Sequence, residues 1–90
     1  MKTVLPLLAE YLGTFLLTFA YISTSNILLT GAIFAVILYL IVPISGGCIN
    51  PAVSWIMFLA GRLSVKELIY YVTLQILAGS TAFYIYTLVV

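Results

Sequence analysis

Residues 45–54 read Ser-Gly-Gly-Cys-Ile-Asn-Pro-Ala-Val-Ser, a polar, glycine-broken stretch between long apolar runs. Its chemistry is hydrogen bonding rather than bond making. Asn50 carries an amide that both donates and accepts, Cys48 a weakly polar thiol, and Gly46 and Gly47 a backbone free to adopt conformations closed to bulkier residues. Glu10 and Gln75 add a carboxylate and a second amide, each inside an apolar run. An ionisable side chain in such a run is expensive and marks a functional position by default. The chain has no histidine and one cysteine, and it shows no nucleophile–base pair, metal-ligand cluster or phosphate-binding loop. An enzyme is therefore not expected, nor a metal or cofactor site.

Composition indicates where this chemistry takes place. Hydrophobic residues make up 66% of the 90, against three basic and two acidic side chains. A soluble domain of this size could not cover so much apolar surface. The expected class is an all-α integral membrane protein, with the lipid bilayer as its first partner. A net charge of +1 offers no basis for binding nucleic acid, and Cys48 alone excludes an intrachain disulfide. In lipid, irregular backbone persists only where it is buried in protein or lines water. The stretch 45–54 thus predicts a pore or a binding site.

The apolar runs predict the elements that position it. Three transmembrane helices are expected over about residues 4–22, 27–43 and 65–90, with Pro43 ending the second. A fourth run, 51–61, is eleven residues long and would rise only about 16 Å, half a bilayer, so it predicts a re-entrant half-helix. Asn50 is a favoured N-cap, Pro51 suits the first helical position, and Gly61 suits the stop. Lys2, Arg62 and Lys66 fall on one side of the membrane in this arrangement, and the connector Ser23–Asn26 on the other side has no charge. The positive-inside rule then puts the N-terminus in the cytoplasm. Lys2 before an apolar stretch also fits a cleaved signal peptide, against which Pro6 and Glu10 argue.

Ala9-Glu10-Tyr11-Leu12-Gly13-Thr14-Phe15 resembles the first-helix signature of the major intrinsic proteins, the aquaporin and aquaglyceroporin family. The stretch 45–54 resembles that family's first pore loop with its Asn-Pro-Ala motif, and Gly61-Arg62, Glu67, Tyr71 and Gln75 resemble the linker and third helix that follow. The resemblance covers nearly the whole chain and implies one half of an inverted repeat, a single half-repeat over residues 1–90. Nothing in the 90 residues repeats, so the second half-repeat is an implied partner, either a separate chain or an antiparallel copy. Three same-side basic residues favour the separate chain. A homo-oligomer of pores is also implied.

The function implied is passive conduction of water or a small neutral solute such as glycerol. Asn50 would donate its amide to the passing solute, beside its plain role as N-cap. Pro51 would start the half-helix and Ala52 would allow a second half-helix end to approach. Gly46 and Gly47 would turn carbonyls into the path, and Val53 stands where the first half of the family carries no filter arginine. Cys48 stands where the family usually has histidine, and it reads equally well as an inert buried thiol. Thr30, twenty residues before Asn50, would widen the outer constriction. Glu10 would hold the loop by accepting its backbone hydrogen bonds, and Gln75 would brace it. Two alternatives remain: a non-conducting membrane protein without channel activity of its own, and a small antiparallel-dimer transporter using Glu10.

Overall fold

A computed structural model describes residues 4–90, so Lys2 lies outside the described residues. Four helices follow in order: α1 Val4–Ser23, α2 Ile27–Ser45, α3 Pro51–Leu59 and α4 Val65–Val89. Among them α1, α2 and α4 are long and apolar enough to cross a membrane, and the chain is an all-α integral membrane protein with several spans. At nine residues, α3 rises only about 13 Å and cannot cross.

Local chemistry sets most helix ends. Asn26 caps α2, its side chain accepting from the Leu29 N–H at 2.9 Å. Ser64 and Glu67 form a reciprocal capping box at the start of α4, at 3.1 and 2.9 Å. The end of α3 is a Schellman turn. The Gly61 N–H donates to Phe58 O and the Arg62 N–H to Met57 O, with Gly61 at φ 77°. Its last helical residue is Leu59, two short of the expected Gly61.

The other departure concerns Pro43, which does not end α2. The proline removes only the N–H that would have reached one turn back. The helix continues to Ser45, where Gly46 at φ 89° closes it with an N–H to Val42 O at 3.0 Å. Ser45 is held from outside the helix by hydrogen bonds to Glu10 and Tyr71. Tertiary contacts thus sustain a last half-turn that propensity alone would have released.

The helices are arranged around α1. Contacts of Gly13 with Ile37 and Ile41, and of Glu10 with Ser45, set α2 antiparallel to α1. Gly13 allows this close approach, since a Cβ would stand 2.8 Å from Ile41 Cδ1 and 3.0 Å from Ile49 Cγ2 and those side chains would have to shift. On its other side α1 packs along α4, and α3 lies against α4. Ala9, Ile37, Ile41 and Ile49 form one core cluster, and Cys48, Leu63 and Tyr71 a second. Outside these, large apolar side chains from Val4 to Val90 remain exposed, as they must where lipid is the solvent.

Candidate functional site

Residues 46–50 leave the end of α2, turn within the bundle and enter α3. Gly46, Gly47 and Ile49 all take positive φ, at 89°, 68° and 40°. For a β-branched residue this conformation is strained, and it persists only where surroundings enforce it. Two features do so. The Ile49 side chain is buried with Ala9, Ile37 and Ile41, and its N–H is held by Glu10.

Glu10 is fully buried and accepts four hydrogen bonds. Ser45 Oγ and the Cys48 N–H donate to Oε2 at 2.5 and 3.1 Å, and the Ile49 N–H and Gln75 Nε2 donate to Oε1 at 2.8 and 3.0 Å. The Gly47 N–H donates to Ser45 Oγ at 3.3 Å. Each loop N–H from Gly46 to Ile49 therefore ends on a protein acceptor, which low-dielectric surroundings demand. The carbonyls of residues 46–49 receive no hydrogen bond from any described residue. Glu10 lies about 9 Å along α1 from its start and about 20 Å from its end, and Gln75 about 15 and 21 Å from the ends of α4. Loop and α3 N-terminus therefore sit deep in the bundle.

At that depth Asn50 caps α3, its Oδ1 accepting from the Ala52 and Val53 N–H groups at 2.7 and 3.3 Å. With Oδ1 occupied, the NH₂ group of the amide is directed away from the helix. Asn50 and Pro51 open on a groove of about 510 Å³ walled by Thr14, Leu17, Thr18, Gln75 and Phe83 among others. The α3 N-terminus places about half a positive charge at this groove. Two buried atoms on its wall residues, Thr14 Oγ1 and Gln75 Oε1, find no hydrogen-bond partner among the described residues.

The remaining residues singled out in the sequence are distributed unevenly. Ala52 and Val53 are exposed on the first turn of α3. Gly47 and Cys48 are buried, the thiol packed with Leu63 and Tyr71 rather than at the groove. Thr30 lines a different groove, of about 660 Å³, with Tyr21, Ser23, Thr24, Ser25 and Gly31 at the α1–α2 connector. Sequence reasoning assigned no role to Ser45 or Ser54, and Tyr71 entered it only through the resemblance of the third helix. Tyr71 is buried and its hydroxyl donates to Ser45 O at 3.0 Å. Ser54, also fully buried, accepts from Gln75 Nε2 at 2.7 Å. The polar character of Ser54 and Tyr71 four residues from Asn50 and Gln75, on the same helix faces, was the signal available.

Comparison with known proteins shows which sequences the chain is similar to. Aquaglyceroporin AqpS of Rhizobium meliloti (strain 1021) is 36% identical over 90 aligned residues, covering 82% of this chain and 38% of the relative. Aquaporin PIP1-1 of Arabidopsis thaliana and Aquaporin PIP1.1 of Vicia faba are each 47% identical over 49 residues, covering 54% of this chain and 17% of theirs. The chain thus spans well under half the length of these relatives. No solved structure matches it significantly. The family model described as major intrinsic protein matches residues 22–90, more than half of the chain, and the chain belongs to that family.

Proposed function

We propose that this chain is one half of a passive membrane channel for water or a small neutral solute such as glycerol. The observation that carries the reading is the α3 N-terminus, held deep in the bundle and opening through Asn50 on a groove. The positive end of α3 disfavours cations, while the Asn50 NH₂ offers donors to a solute oxygen. Gly46, Gly47 and Cys48 contribute carbonyl acceptors along the approach, and Pro51, Ala52 and Val53 form the turn behind the amide. Glu10 and Gln75 support the loop. Thr30 belongs to the outer mouth, and its small side chain leaves that mouth wide.

A second half-repeat, meeting the first at Asn50 and Pro51, would close the groove into a pore. The partnerless Thr14 Oγ1 and Gln75 Oε1 behind that groove support an incomplete wall. Arg62 lies in the α3–α4 linker and Lys66 in the first turn of α4, at the end of the bundle where α1 begins, which supports a cytoplasmic N-terminus. An antiparallel copy would put these charges on the wrong side, so a separate second-half chain fits better. Homo-oligomers of completed pores follow the family pattern.

The test is stopped-flow light scattering on liposomes containing the chain, alone and with a second half-repeat, using Asn50→Asp as control. Aspartate keeps the cap but replaces the donating NH₂ with a negative charge at the helix end. The expected result is osmotic shrinkage several-fold faster than in empty vesicles, lost in the variant. Shrinkage at the empty-vesicle rate from folded, inserted protein in both preparations would refute the channel reading.

A further inference from the structure

We propose that Ser54 is a positioning residue, transmitting the support of Glu10 to Asn50 through Gln75. The inference rests on the reading of Asn50 as the solute-facing group and goes beyond it by naming what aims that group.

Three helices meet at one amide. Gln75 Nε2, on α4, has two protons and uses both. One goes to Glu10 Oε1 on α1 at 3.0 Å, the other to Ser54 Oγ on α3 at 2.7 Å. Ser54 Oγ has one proton of its own, and it goes to the carbonyl of Asn50 at 3.0 Å. The Ser54 N–H reaches the same carbonyl at 2.9 Å, so residue 54 holds the Asn50 carbonyl from two sides. The Asn50 side chain is held in turn through Oδ1 by the Ala52 and Val53 N–H groups. With the carbonyl and Oδ1 both fixed, a planar amide has one direction left for its NH₂.

A serine inside a helix that bonds back to the carbonyl four residues earlier ordinarily gains little, and it often bends the helix. Thr18, Thr73, Ser80 and Thr81 do this near or at the protein surface. Thr81 also accepts from another helix, from the Tyr11 hydroxyl on α1 at 2.7 Å, but Ser54 alone of these is fully buried while accepting such a bond, from Gln75 on α4. Its hydroxyl is the link by which the first turn of α3 is registered against α1 and α4 at the depth of Glu10. Alanine would leave one Gln75 proton without an acceptor and the Asn50 carbonyl with one donor. Threonine would keep both bonds.

The experiment is side-chain amide NMR of the isotope-labelled 90-residue chain in lipid nanodiscs, compared across the native chain, Ser54→Ala and Ser54→Thr. In folded Ser54→Ala we expect the Asn50 NH₂ resonances to move and the Gln75 amide protons to exchange at least tenfold faster, with both properties retained in Ser54→Thr. A merely structural serine would lower resistance to unfolding while leaving the Asn50 resonances of the folded protein in place, and that result would overturn the proposal. Should Ser54→Ala not fold, the hydroxyl proton of Ser54 in the native chain is the readout. A slowly exchanging proton with an NOE to the Gln75 amide supports the link, and exchange at the solvent rate overturns it. Osmotic permeability with a second half-repeat present separates the two readings. If the native chain does not conduct, the channel reading fails, whereas the NMR comparison still decides whether Ser54 aims Asn50.

Discussion

Replacing Glu10 with glutamine is the sharpest perturbation of the loop, because it exchanges an all-acceptor group for one that must also donate. In the native chain both carboxylate oxygens face donors, Ser45 Oγ and the Cys48 N–H on one side, the Ile49 N–H and Gln75 Nε2 on the other. Placing the new NH₂ at Oε1 would set it against two N–H groups. At Oε2 the Ser45 hydroxyl can rotate to accept, leaving the Cys48 N–H as the single unpaired donor. That cheaper orientation costs about 1–3 kcal/mol for the buried donor. Loss of charge assistance on the remaining bonds adds about 1 kcal/mol. The expected total, about 2–4 kcal/mol, is a large part of the marginal stability of a small domain. The chain has one tryptophan, Trp55 on α3, so its fluorescence during titration of mixed micelles with a denaturing detergent reports unfolding. A cost below about 0.5 kcal/mol would refute the reasoning, since it lies below the worth of a single ordinary hydrogen bond.

Two further predictions test other parts of the loop with the same titration. Gly46 and Gly47 share a left-handed backbone, but a Cβ at Gly46 meets nothing, whereas at Gly47 it would meet Val42 Cγ2 at 2.6 Å and Leu38 Cδ2 at 3.1 Å. Gly46→Ala should cost about 1–2 kcal/mol from backbone strain alone. Gly47→Ala should exceed it by about 1–3 kcal/mol of overpacking, and equal costs would show that Val42 and Leu38 yield freely. Tyr71→Phe removes the donor to Ser45 O and should cost about 0.5–1.5 kcal/mol. The loss should largely disappear when measured in a Glu10→Gln background if both side chains act by holding Ser45, and full additivity would refute that coupling.

The match to relatives over a fraction of their length bears on how these tests are run. Stability, loop geometry and the Ser54 link belong to the described residues and are measurable on this chain. The proposed conduction is tested with a second half-repeat present.

The number and kind of helices were legible in the sequence because their determinants are local. Span length and hydropathy separate α1, α2 and α4 from α3, and Asn50, Pro51 and Gly61 mark the ends of the short helix within four residues of the groups they satisfy. Glu10 and Gln75 could be singled out as polar groups too costly to leave unpaired in lipid. The resemblance implied loop backbone N–H groups as partners of Glu10, and those of Cys48 and Ile49 fill that place, but the bonds to Ser45 and Gln75 could not be read from spacing. The bonds of Glu10 to Ser45, Cys48, Ile49 and Gln75 span 35 to 65 residues, and no spacing rule reaches that far. Nor could the facing of each helix be read, because lipid is as apolar as a protein core and leaves little periodicity to separate them. Only the tertiary structure therefore enclosed Cys48, set Thr30 at a separate groove, extended α2 past Pro43 and placed Ser54 between Gln75 and Asn50.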